Sequence, residues 1–121
     1  MKTHESEEMY LETILLLKER NPSVHAIDIA GELGYAKSSV SRAVGLLLKR
    51  GYIEINEFDE ISLTAAGLAK AKDIYERHQV ITSLLMRMGA DEQLAEENAC
   101  RIEHVITAEL FEIMKNFVKE N

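Results

Sequence analysis

The chain has one cysteine, one proline and no tryptophan among its 121 residues, with aromatics at only 6%. A single thiol, Cys100, cannot close an internal disulfide. The fold must therefore hold in a reducing compartment, and any thiol chemistry falls to this one sulfur. Long apolar runs are missing too. The longest, Ile14 to Leu17, is far short of the ~20 residues that cross a bilayer, and the opening MKTHESEEMY is too acidic for a secretory signal. A soluble, cytoplasmic protein that engages no membrane is expected. Positive charge is in deficit: 14 bases against 21 acids give a formal charge of -7. Such a mean field repels phosphate and argues against non-specific coating of nucleic acid or anionic lipid. What is present is ordinary globular material, 46% hydrophobic and 29% charged. That suits one domain, or two small ones sharing an interface, and leaves no room for a cofactor domain plus a substrate domain.

The charge is divided by region. From Lys37 to Arg50 the chain carries Lys37, Arg42, Lys49 and Arg50 and no acid, whereas Asp91 to Glu112 holds seven acids and only Arg101. A local basic patch survives inside an acidic protein.

Glu5 to Arg20 reads as a helix with Met9, Thr13, Leu16 and Leu17 near one face and Tyr10 and Ile14 beside it, stopped by Asn21-Pro22. After Ser23 a short helical segment, His25 to Leu33, ends at Gly34, a natural left-handed cap. Ser38 and Ser39 are good N-cap types for a next helix, apolar at Val40, Val44, Leu47 and Leu48 and ended by Gly51. Helix, tight turn, helix is the helix-turn-helix pattern. Tyr52 to Ile55 and Ile61 to Leu63 alternate apolar and polar residues around the polar Asn56 to Glu60, which predicts a small hairpin, or wing. Thr64 then caps a long helix to about Met88, closed by Gly89. Asp91 opens another to about Ile106, and Ala108 to Val118 forms a third. The expected fold is mainly α: a winged helix-turn-helix DNA-binding domain over 1–63, then a linker helix and helical metal-binding and dimerisation domain over 64–121.

A helix that enters the major groove must present donors from its first two turns, without acids to repel the backbone. Lys37, Ser38, Ser39, Ser41 and Arg42 supply them. Arg42 can offer two parallel donors to a guanine edge, Lys37 a mobile charge to a phosphate, and the serines neutral donors to either. Taken singly, the serines could be caps and the bases a solvated face. The element order, with the following hairpin, favours double-stranded DNA as the partner.

Cys100, Glu103 and His104 fall at i, i+3 and i+4, one side of a helix, and offer a thiolate, a carboxylate and an imidazole. Each alone has an ordinary reading, as a packed cysteine, a surface acid and a hydrogen-bonded histidine. Other ligand types stand where the fold could bring them near: Met9 and Glu12 on the first helix, His78 on the linker helix, and Glu96 one turn before Cys100. The last helix carries Leu110, Phe111, Met114, Phe117 and Val118 at spacings of three and four, a stripe that needs burial within the chain or against a second copy. Leu110, Phe111, Met114 and Phe117 are the expected homodimer interface.

Glu8-Met9-Tyr10-Leu11-Glu12, Ser38-Ser39-Val40-Ser41-Arg42, Leu63-Thr64-Ala65-Ala66-Gly67 after the wing, Arg77-His78 and Cys100-Arg101-Ile102-Glu103-His104 occur in one order over nearly the whole chain. In this the chain resembles the diphtheria-toxin-repressor family of metal-dependent regulators, in a short form without the SH3-like domain of longer members. The resemblance implies a cytoplasmic homodimer that represses metal-uptake genes when Fe(II) or Mn(II) is plentiful. It implies Met9, Cys100, Glu103 and His104 as regulatory ligands of the iron branch, and His78 as a ligand of the family's other site. That other site also uses a Glu and a His where this chain has Thr82 and Glu96. Glu12 resembles a ligand of the manganese branch, in which the positions of Met9 and Cys100 are usually carboxylates. Two sulfurs favour Fe(II) over Mn(II), which prefers oxygen donors. An ion held by Met9 and Glu12, by His78 and by Cys100 to His104 would act as a staple that fixes the distance between two recognition helices.

Two rivals are weighed. A winged-helix regulator could answer to a small molecule or to oxidation of Cys100 with no metal. An enzyme could use Cys100 as nucleophile and His104 as base, but the chain shows no oxyanion element, no glycine-rich substrate loop and no third orienting group beyond Glu103, which points elsewhere by ~100°. No enzyme is expected.

Overall fold

A computed structural model describes residues 2–120, with side chains from residue 7 onward. The elements run α1 (Lys2–Arg20), α2 (Ala26–Leu33), α3 (Lys37–Lys49), β1 (Ile53–Ile55), β2 (Ile61–Leu63), α4 (Ala65–Arg87), α5 (Glu92–Ile102) and α6 (Ala108–Glu120). The fold is mainly helical with a winged helix-turn-helix at its start. Two compact units divide the chain between Lys72 and Asp73. That division lies inside α4, whose first turns pack with the first unit: Ala71 is fully buried in its core.

In the first unit α1, α2, α3 and the wing enclose one apolar cluster built on Leu11, Ile14, Ile29, Val40, Leu47, Ile53 and Ile61. The buried face of α1 is rotated from the one expected. Thr13 of the expected face is buried, as are Tyr10 and Ile14 beside it together with Leu11, while Met9, Leu16 and Leu17 are only half-buried. The face follows Leu11 because α2, α3 and β2 all pack on α1, giving it a wider contact than one stripe. On α3, Val40, Val44 and Leu47 are buried as expected, whereas Leu48 is exposed.

Local signals explain most element ends. Asp28 reaches back to accept from the backbone of His25, at 2.8 Å, at the start of α2. Gly34 ends that helix at φ +72°, a region open to glycine at little cost. Ser38 and Ser39 do not cap α3. The N-cap is Ala36, without a side-chain bond, so both serines lie in the first turn and face solvent. The wing pairs Ile53 with Leu63 and Ile55 with Ile61 in antiparallel register. Its tip is organised by Asn56, whose Oδ1 accepts from the backbone of Phe58 and Glu60 and whose amide donates to Glu60 Oε1 at 2.8 Å. Ser23 Oγ donates to the other Glu60 oxygen at 2.6 Å and ties the wing to the entry of α2.

Thr64 caps α4 as expected: its hydroxyl accepts from Gly67 N at 3.1 Å and donates to Gly51 O at 2.7 Å. Three residues on, the backbone of Gly67 lies so close to the wing's entry that an added Cβ would sit 1.9 Å from the carbonyl oxygen of Tyr52. No side chain fits there.

In the second unit Ile74, Ile81, Ala95, Ala99 and Phe111 are buried. Arg87 donates to Val118 O at 2.8 Å and Lys115 pairs with Glu76 at 2.9 Å, so α4 and α6 are tied at two levels. Asp91 caps α5 through a 2.8 Å bond from Leu94 N. That helix stops at Ile102, earlier than the expected Ile106, and Glu103 stands at its C-cap. Among the described residues no helix is long and apolar enough to cross a membrane.

Candidate metal centre and nucleic-acid interface

The early end of α5 shapes the centre. Past Ile102 the chain turns through Glu103 to Ile106 before α6 begins. Arg77 on α4 holds that turn, donating from Nη1 to the carbonyl oxygens of Glu103 at 3.2 Å and Ile106 at 3.1 Å. Its guanidinium also lies 5.4 Å from the ring centre of Phe111, a cation–π contact that fixes where the donor group sits. Arg77 was not a candidate from sequence; its place directly before His78 in the quoted motif was the one available signal.

The turn presents Glu103 inward. Its side chain is fully buried, with Oε1 2.8 Å from His78 Nδ1 and Oε2 3.3 Å from His104 Nε2. Among the described residues, Glu103 Oε2 receives no hydrogen bond of good geometry. A buried carboxylate oxygen in that condition is costly unless a cation satisfies it. One carboxylate oxygen and one imidazole nitrogen side by side are the donors a divalent transition metal takes. The residues therefore fit such an ion, with Glu103 and His104 as paired donors and His78 bonded to the same carboxylate.

The remaining candidates are placed as follows. Glu12 is a buried carboxylate on α1 and Met9, one turn earlier, is half-buried. Met9 Sδ accepts a hydrogen bond from the Tyr35 hydroxyl at 3.7 Å. Cys100 is exposed on α5, and the cluster of donor atoms that contains Glu103 and His104 does not include it among the described residues. Glu96 is exposed on the same helix. Thr82, where the iron branch has a carboxylate, is half-buried.

Lys37, Ser38, Ser39, Ser41 and Arg42 are all exposed on the first two turns of α3, whose first turn carries no acid. The unbonded N–H groups of a helix start favour an anion, and Lys37 adds a full charge there. This end of α3 can meet phosphate and base edges together. On α6, Phe111 is buried in its own unit rather than exposed for a partner, and Met114 is half-buried. Leu110, Ile113 and Phe117 are 45%, 61% and 50% exposed, and at 100° per residue they share one face. Ile113 was missed from sequence because the stripe was centred on Phe111.

Comparison with known proteins gives two family matches that together span almost the whole chain. The iron dependent repressor N-terminal DNA binding domain matches residues 2–58, and the iron dependent repressor metal binding and dimerisation domain matches residues 64–121. An uncharacterized HTH-type transcriptional regulator of Methanocaldococcus jannaschii is 34% identical over 118 residues, 96% of this chain and 94% of that protein. The transcriptional regulator MntR of Escherichia coli is 27% identical over 112 residues, 93% of this chain and 72% of that protein. The structure of the manganese regulator SloR superposes with a TM-score of 0.84 at 25% identity, covering 95% of this chain. Our chain spans about half of that longer protein, 54% of its length.

Proposed function

Because the chain belongs to the iron-dependent repressor family, that of the diphtheria toxin repressor, we propose that it acts in the cytoplasm as a homodimeric repressor that binds operator DNA when loaded with a divalent transition metal and so controls metal-uptake genes. The observation that carries this reading is Glu103, a fully buried carboxylate with one oxygen on His78 and the other beside His104. His104 and Glu103 are the core donors, and Met9 and Glu12 are those that α1 contributes. His78 orients the Glu103 carboxylate and is a further donor; Cys100 and Glu96 are peripheral ones. When bound, the ion supplies positive charge that satisfies the buried carboxylates and favours the DNA-binding arrangement by its higher affinity for that state. Arg77 holds the donor turn, Lys37 and the serines meet phosphate, and Arg42 reads a base edge. The exposed face Leu110, Ile113 and Phe117, with Met114 at its edge, joins two copies.

The finer choice is between Mn(II) and Fe(II). The buried donors are oxygen and nitrogen, at Glu12, Glu103 and His104, whereas Cys100 is exposed. This set suits Mn(II), and SloR is described as a manganese regulator. Fe(II) is the second reading, favoured by Met9 and Cys100 as soft donors.

The test is anaerobic binding to a pool of genomic fragments with Mn(II), Fe(II), Zn(II) or a chelator. We expect selected fragments to share an inverted repeat with half-site centres about one helical turn apart, or a multiple of it. Chelator should abolish selection, and His104→Ala should abolish the response to metal while leaving the helical content unchanged. Selection that persists in chelator would refute the metal switch.

A further inference from the structure

Tyr35 sits in the turn between α2 and α3, directly before the helix that carries Lys37 and Arg42. Its hydroxyl donates to Met9 Sδ at 3.7 Å, and its ring meets that of Tyr10 edge to face, with centroids 6.2 Å apart. Two consecutive residues of α1 are thus gripped by one side chain of the turn. We propose that Tyr35 is a specificity-determining residue for the metal: by occupying the Met9 sulfur it selects against ions that need that sulfur. This inference rests on Met9 being a donor in the proposed centre.

The physical reason is competition for electron density. A thioether is a weak acceptor, and its side chain has three rotatable bonds, so the Tyr35 bond also picks the rotamer in which the sulfur waits. An ion that binds the sulfur withdraws density from it and weakens the O–H···S bond. An ion satisfied by carboxylate, imidazole and water leaves the sulfur, and the bond, as they are. The hydroxyl therefore acts only against sulfur-seeking ions such as Fe(II), Co(II) and Zn(II), and is neutral toward Mn(II). A bond to so weak an acceptor is worth about a two- to fivefold change in affinity.

The experiment measures affinity for Mn(II) and Co(II), each added alone under anaerobic conditions against a competing fluorescent chelator. The full chain, Tyr35→Phe, Met9→Leu and the double variant are compared. Tyr35→Phe, which keeps the ring contact with Tyr10, should tighten Co(II) binding about two- to fivefold and leave Mn(II) unchanged. Met9→Leu should weaken Co(II) more than Mn(II), and in that background Tyr35→Phe should do nothing. In the metal-free chain, the ¹³C-methyl resonance of Met9 should move on Tyr35→Phe, a readout independent of any ion. Equal changes for both ions would mean a structural effect and overturn the proposal. So would an unchanged Co(II) affinity in Tyr35→Phe while Met9→Leu weakens it. If Met9→Leu itself changes nothing, Met9 is no donor and the inference falls with that assignment; if the unmodified chain binds neither ion, the metal switch falls as well.

Discussion

Lys37 and Arg42 stand on the same two turns of α3, yet their loss should read differently. Arg42→Ala should weaken operator binding by about 1–3 kcal/mol and relax preference at one position per half-site, as measured by binding to a set of single-base variants. Lys37→Ala should lower affinity for all sequences and flatten the salt dependence by about one ion. Operator affinity untouched by both changes would remove α3 from the interface. At this scale part of the candidate site's geometry was legible. Glu103 and His104 stand next to one another three and four residues after Cys100, so proximity in sequence already limited their separation. His78 was legible as a ligand type, but not as the partner of Glu103, because that pairing is made 25 residues apart by the packing of α4 on the donor turn. Arg77 was illegible for another reason. It bonds backbone carbonyls, and every residue has one, so no pattern of side chains marks its targets.

The wing and the helices carry a second class of expectation. Hydrogen bonds from Ser23 and then from Asn56 stabilise the charged form of Glu60 and hold its carboxyl below the ordinary glutamate range. A lowered value in the folded state means that the stabilisation is present above the ordinary carboxylate range and is lost as pH falls through the folded value. Glu60→Gln should therefore loosen the wing at neutral pH and make little difference in acid, which amide exchange of residues 56–60 at the two pH values would report. Gly67→Ala is a harsher change. With the Tyr52 carbonyl in the place of its Cβ, α4 or the wing entry must shift, at a cost of about 1–3 kcal/mol seen as a lowered denaturation midpoint. Element types and order were readable because Asn21-Pro22, Gly34, Gly51 and Gly89 punctuate the chain. The end of α5 was not, since no glycine or proline lies between Ile102 and Ala108. The chain leaves the helix there in company with Arg77, a tertiary cause. The face of α1 was misjudged for a similar reason: three elements pack on it, and periodicity alone assumes one.

For the whole molecule, the -7 charge and the exposed apolar face of α6 point the same way. In the proposed reading, a chain with weak general attraction for DNA holds an operator only through two recognition helices, one from each copy. Ile113→Glu with Phe117→Glu should give a monomer in analytical ultracentrifugation and reduce operator affinity at least a hundredfold, with helical content retained because both side chains are exposed in the isolated chain. A dimer that survives the double change would place the interface elsewhere. The two small units were legible as a pair from the change in charge along the chain, and α4 continues through the division between them without a break. The grip of Arg77 on the carbonyls of Glu103 and Ile106 has a consequence in time. The proposed donor turn is held by protein contacts alone, so loading should need no slow ordering of that turn and should lose little entropy at the moment of capture. For the proposed repressor, the answer to a falling metal supply is then as quick as the ion's own departure, and the remaining lag lies in the build-up of new transcripts.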